Sequence, residues 1–171
     1  MALLKLQNQI PPAVGINWSQ IWNLNVPGKI QNFIWRSLSN VLPTMKSLRH
    51  RRIEIPEWCP LCRHEEEDGL HALVSCSLVR NIWHLTSIGS YIGSAISLPD
   101  WWQNLTTTRD SSDIEMAAIL MWNIWQNRND VVWNGKSKPA ALIFSSAMSV
   151  HSQWVASRNR PIPRSPHPIQ Q

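Results

Sequence analysis

Three cysteines and one histidine constrain this chain more than anything else in it. Cys59, Cys62, His71 and Cys76 stand in the pattern C-x2-C-x8-H-x4-C, and these thiols are all the cysteine among 171 residues. Three thiolates and one imidazole make a complete tetrahedral set for one structural Zn2+. Four protein ligands leave no position open for a substrate or an activated water, so such a site is expected to hold a fold together rather than catalyse. Two cysteines separated by two residues reach one ion from a tight turn, and Pro60 presets the backbone angle of that turn. His71 and Cys76 lie roughly one and a half helical turns apart. Both reach the ion if a helix begins close to His71, with Asp68-Gly69 as its entry and Asp68 as its cap. The competing assignment is three unrelated buried thiols and a surface histidine. It is disfavoured because all the cysteine falls in the one window 59–76. His50 and His64 are rival imidazoles, but only Arg63 separates His64 from Cys62, which is too cramped to share an ion easily.

The rest of the composition sets bounds. A 43% hydrophobic content over 171 residues supports one medium domain, or a small one with appendages. A net charge of +5 favours anionic partners, RNA or DNA first. Eleven tryptophans against one tyrosine and two phenylalanines mean a large packing area whose indole N–H groups each need a partner or water. Three cysteines without an export signal point to a reducing compartment, intracellular in the nucleus or cytoplasm, and to metal rather than disulfides. The apolar run at Met1–Leu6 is too short for a signal peptide, and the run at Met116–Trp122 is far short of a membrane span.

Helical periodicity dominates the chain, and no alternating strand pattern is found. Residues 1–16, with Pro11-Pro12 and Gly15, read as a flexible leader. A short helix around Trp18, Ile21 and Trp22 ends at Pro27-Gly28. Lys29 to Val41 places Ile30, Phe33, Ile34, Leu38 and Val41 on one face of a second helix. Thr44 caps a third, which carries Lys46, Arg49, Arg51 and Arg52. From His71 a helix is predicted to bury Val74, Leu78 and Ile82, with Val79 and Trp83 beside that stripe. Pro99-Asp100 opens a short helix with Trp101, Trp102 and Leu105, and Thr106–Asp110 reads as a loop. Ser112-Asp113-Ile114-Glu115 has the form of a capping box, with serine at the cap and a long helix running to about Trp133 before Asn134-Gly135. Pro139 to Trp154 is a last helix with Leu142, Ile143, Ala147, Val150 and Trp154 as its periodic residues. The expected fold is therefore mostly α: a small helical domain nucleated by one CCHC zinc site, residues 17–84, then a helical connector, 85–157, and a Pro/Arg-rich disordered tail, 158–171.

Several of these residues carry a family resemblance. Trp18-x-x-Ile21-Trp22, Val26-Pro27-x-Lys29-Ile30-x-x-Phe33-Ile34-Trp35-Arg36 and Leu42-Pro43-Thr44 come first, then Leu48-x-x-Arg51-Arg52-Ile53. Cys59-Pro60-Leu61-Cys62, Glu67, His71-Ala72-Leu73-x-x-Cys76 and Trp83 complete the series. In order and spacing this resembles the zinc-binding domain that follows the reverse transcriptase in plant non-LTR, LINE-type retrotransposons. The resemblance implies that Cys59, Cys62, His71 and Cys76 are the zinc ligands. Downstream, Trp122-x-x-Trp125-x-x-Arg128-Asn129 resembles the helical connector to a ribonuclease H domain in the same elements, a likeness that lapses after Trp154. Reverse transcriptase and ribonuclease H domains of a parent element are thus implied partners. Their catalytic carboxylates are not matched here, because there is no Asp-Asp pair and the acids after the zinc motif are few and scattered.

Three functional expectations follow. The first is a non-catalytic module that assists nucleic-acid binding. Lys46, Arg49, Arg51, Arg52 and Arg63 would hold phosphates and Trp58 would stack on an unpaired base. Against it, those cations read equally as a solvated face neutralised by Glu54, Glu57 and the acidic run 65–68, and Trp58 as packing over the zinc turn. The second is a structural connector whose indoles at Trp101, Trp102, Trp122 or Trp125 are exposed anchors for neighbouring domains, or a decayed fragment without function. The third, hydrolysis at zinc, lacks the open coordination position it would need.

Overall fold

The computed structural model describes residues 15–89 and 95–159. Seven α-helices are found among them: α1 (Trp18–Trp22), α2 (Gly28–Leu38), α3 (Met45–His50), α4 (Ser77–Trp83), α5 (Leu98–Thr108), α6 (Ser111–Asn134) and α7 (Ala140–Arg158). A single π-helical turn, His71–Ser75, precedes α4, and no strand is present among the described residues beyond one isolated bridge, Trp58 to Glu66. The fold is mostly helical, as the periodicity predicts. The leader lies outside the described residues except for Gly15 and Ile16, as does the tail except for Arg158 and Asn159.

The longest helix organises the packing. α6 buries Ile114, Ala117, Ala118, Ile119, Leu120, Met121, Ile124 and Trp125, more than one stripe, so it sits among neighbours on several sides. It packs against α2, α5, α7 and the π-turn. From α2, Phe33 meets the Trp122 ring edge-on at 5.3 Å and the Trp125 ring at 6.4 Å. α7 returns antiparallel to α6 after Gly135, whose φ of 64° gives the left-handed stop that Asn134-Gly135 predicts. The buried Asn127 accepts the Lys138 N–H at 2.8 Å and pins this hairpin turn. Trp83 donates its indole N–H to the Leu73 carbonyl at 2.9 Å and packs on Trp101 at 5.2 Å, tying α4 to α5.

Local structure departs from the sequence reading at six places. α3 stops at His50, so Arg51 and Arg52 lie beyond the helix rather than on it, with Arg52 turning left-handed at φ 62°. The stripe Val74–Leu78–Ile82 is broken, because Cys76 is extended (φ −53°, ψ 134°) and resets the helical phase. Val79, Ile82 and Trp83 are buried in α4, and Leu78 is exposed. Thr106, Thr107 and Thr108 continue α5 rather than looping, with their hydroxyls bonded to the carbonyls of Gln103 and Asn104 one turn back. The cap of α6 is Asp110, which accepts the Asp113 N–H at 2.9 Å, not Ser112. A carboxylate at the positive helix end outcompetes a hydroxyl, and Glu115 instead accepts the Asn25 N–H at 3.3 Å. α2 closes at Leu38, because Asn40 turns left-handed at φ 56° before Val41. Finally, Leu142 is exposed in α7, while Ile143 and Ala147 are its buried residues.

The expected exposed indoles are also redistributed. Trp101, Trp102 and Trp125 are buried and Trp122 is half-buried beneath the Lys29 ammonium. They form this chain's own core, where fully covered indole area is worth most.

Candidate metal centre

Two short pieces of chain supply the four ligands. The first is a knuckle at residues 59–63, closed by the Arg63 N–H donating to the Cys59 carbonyl at 2.9 Å. Arg63 itself sits left-handed at φ 59°. The Cys59 N–H donates to the Glu65 carbonyl at 2.7 Å, so the chain doubles back immediately beyond the turn. The second piece is the π-turn. Asp68 accepts the His71 N–H at 2.8 Å, which bears out the role predicted for it as a cap. The Cys76 N–H then donates to the His71 carbonyl at 3.0 Å, across five residues. In an α-helix, residues five apart point about 140° away from each other. Widening the turn to five residues brings His71 and Cys76 over one another. That device solves the one awkward spacing in the motif.

The result is a compact donor set. One ligand atom from each of Cys59, Cys62, His71 and Cys76 lies within 4.8 Å of every other. Cys62 Sγ is 3.3 Å from His71 Nε2. Cys59, His71 and Cys76 are buried and Cys62 is half-buried. With Zn–S near 2.3 Å and Zn–N near 2.0–2.1 Å, tetrahedral donors stand roughly 3.5–3.8 Å apart. The chemistry and the spread of these donors therefore suit one zinc ion.

Charge within the cluster points the same way. The Cys59 thiol donates to Cys76 and holds Cys76 well below the ordinary thiol range, with His71 assisting against the effect of burial. The same hydrogen bond, then burial, pushes Cys59 up. Burial pushes His71 down, but Cys76 and Cys62 more than reverse it and raise it to about 9. A cluster that already sets a charged His71 against a Cys76 thiolate exchanges protons for a dication when zinc binds.

The four acids that the sequence offers as an undifferentiated run each have a separate partner. Glu65 Oε2 is 3.4 Å from His71 Nδ1. Glu66 pairs with Lys46 at 2.9 Å and approaches Arg49 at 3.9 Å. Glu67 is fully buried and receives Arg128 through Nε at 2.8 Å and Nη2 at 2.6 Å. The Glu67 carboxylate also accepts the Met45 N–H at 2.9 Å, and its carbonyl accepts the Lys46 N–H at 3.1 Å. Arg128 reaches the Pro43 carbonyl at 3.4 Å and stacks 4.8 Å over the Trp125 ring. Glu67 thus joins the start of α3 to the middle of α6, some 60 residues away in sequence. Asp68 is the cap already described. Neither Glu67 nor Arg128 was legible as a pair, since nothing local links them.

The cations that the sequence groups near the ligands fall into two sets. Lys46 and Arg49 are spent on Glu66 and Glu57, the Arg49–Glu57 pair being 3.1 Å. Arg51, Arg52 and Arg63 are exposed, with no ion pair among the described residues. Arg52, like Arg63, is left-handed, at φ 62°. Trp58 is 51% exposed and does not cover the knuckle as core, and Ile53 is exposed as well.

Fold and site together define a helical zinc-binding domain with one ion's worth of ligands. The comparison with protein families agrees: residues 4–83 match the model described as zinc-binding in reverse transcriptase, less than half of the chain but all four ligands. No curated protein and no solved structure matches the chain. No helix among the described residues is long and apolar enough to cross a membrane.

Proposed function

We propose that this chain is a non-catalytic zinc module of a retrotransposon-derived, plant non-LTR type reverse transcriptase polyprotein, and that it assists nucleic-acid binding from within the cell. One observation carries the reading: Arg51, Arg52 and Arg63 are exposed with no ion pair among the described residues, and Trp58, next in sequence to the ligand Cys59, is a half-exposed indole. Guanidinium groups without partners bind phosphates, and an accessible indole stacks on an unpaired base. Lys46 and Arg49 play a lesser part, since binding nucleic acid there means first breaking their ion pairs.

The test is titration of the zinc-loaded chain with labelled single-stranded RNA and DNA over a range of salt. Replacing Arg51, Arg52 and Arg63 together by alanine is expected to lower the slope of log affinity against log salt by about 2, from ~0.7 per lost phosphate contact. Trp58→Ala is expected to weaken binding without changing that slope. A wild-type chain that binds neither nucleic acid at low salt overturns the reading.

A second reading, a connector between polymerase and ribonuclease H domains, has one observation in its favour. Trp133 at the C-terminal end of α6 is 81% exposed, an indole that solvent does not favour and a neighbouring domain would cover. Loss of nucleic-acid binding together with burial of Trp133 on adding a ribonuclease H domain would favour it.

A further inference from the structure

Glu65 touches both halves of the metal centre and ligates in neither. Its backbone carbonyl accepts the N–H of Cys59, and its carboxylate lies 3.4 Å from Nδ1 of His71. The opposite ring nitrogen, Nε2, faces Cys62 Sγ at 3.3 Å. That division leaves Nε2 to the ion and Nδ1 to the carboxylate. A carboxylate on the outer nitrogen of a metal-bound imidazole selects the tautomer, restrains the ring and raises the basicity of the ligating nitrogen. Neighbouring acids do not substitute for it. Glu66 is engaged by Lys46, Glu67 by Arg128, and Asp68 binds the His71 backbone rather than the ring.

We infer that Glu65 is a positioning residue for zinc, orienting His71 through Nδ1 while its main chain steadies Cys59. The inference rests on the zinc site and is independent of nucleic-acid binding. It assigns the acidic run a function that simple neutralisation of a basic face does not.

The experiment measures zinc affinity of the full chain by competition with a chromogenic chelator, for the wild type, Glu65→Ala, Glu65→Gln and Glu66→Ala. Melting of the metal-free chain is followed alongside. Glu65→Ala is expected to weaken zinc roughly 10-fold, the lower end for outer carboxylates because this side chain is solvent-facing. Glu65→Gln, which still offers an oxygen to Nδ1, is expected to lose less, and Glu66→Ala nothing. The backbone hydrogen bond survives every variant and the Glu65 carboxylate faces solvent, so metal-free melting shifts little while zinc affinity falls. Two results overturn the inference: wild-type affinity in Glu65→Ala, or equal loss in Glu66→Ala, which would mean a diffuse field of the acidic run. A wild type that takes up no zinc would instead remove the metal site itself.

Discussion

The knuckle and the α6–α7 hairpin are held together by different physics. Between Leu48 and Glu67 the only buried residue is Cys59, and α3 beside it is only six residues long. Helices that short are not stable alone. The hairpin has the reverse profile: helices of 24 and 19 residues, a buried face centred on Ile119, Leu120 and Ile124, and Ile143 and Ala147 returning against it. Apolar burial at about 25 cal/mol per Å2 accounts for the hairpin. It cannot account for the knuckle, where four ligands replace a core. Zinc in such sites contributes on the order of 10–16 kcal/mol of apparent binding free energy, most of it spent on folding. The contrast predicts a knuckle whose folding depends on metal and a hairpin whose folding does not, joined across a common interface.

The largest test of that contrast is Cys62→Ser, or removal of zinc with a chelator. Residues 44–83 are expected to lose amide protection, while α6 and α7 keep most of theirs. Retention of full helicity and an unchanged melting curve in the zinc-free chain would break the comparison. Acid is expected to act as the chelator does. Zinc needs His71 neutral, and this imidazole holds its proton up to about 9 before metal enters. Zinc affinity is therefore expected to climb as pH rises toward 9 and to fall steadily below it. For the metal-free cluster while it is still folded, the sign reverses. A raised histidine value means stabilisation that is complete below the unfolded value near 6.5 and is lost as pH rises through about 9.

Arg128→Ala comes next, because it probes the seam between the halves. It leaves the Glu67 carboxylate buried and unpaired, and breaking such a pair costs about 3–5 kcal/mol. Calorimetry of the zinc-loaded variant should show both halves loosened, since Glu67 also holds the first turn of α3. A loss confined to the hairpin would show that the seam transmits nothing. The smallest effect belongs to Arg63→Gly. A left-handed residue with a Cβ costs roughly 1–2 kcal/mol, so glycine at φ 59° should tighten the knuckle by up to about 1 kcal/mol after its extra chain entropy is subtracted. Chemical denaturation of the zinc-loaded chain would measure it.

Much of this was legible because its causes are local. The ligand spacing, the caps at Thr44 and Asp68, the stop at Asn134-Gly135 and the buried face Ile30, Phe33, Ile34 and Leu38 each depend on residues within a turn or two. Leu78 was misplaced because one extended residue, Cys76, shifts the phase of everything after it, and periodicity cannot register a single ψ angle. The cap of α6 was misplaced by two residues because Asp110 and Ser112 both satisfy the local rule. Exposure of the tryptophans could not be read at all: Trp125 and Trp133 share a helix, yet the first lies against Phe33 and the second is in solvent.

What the sequence determined by itself was the helical class and the identity of one tetrahedral ligand set, because hydrophobic period and coordination chemistry are short-range properties. Only the tertiary structure decided which of four consecutive acids serves the histidine, which serves α3 and which is buried against Arg128. The last of these depends on groups 61 positions apart meeting where water is excluded. There a charge without a partner is too costly to leave, and only the folded chain reveals which partner it has found.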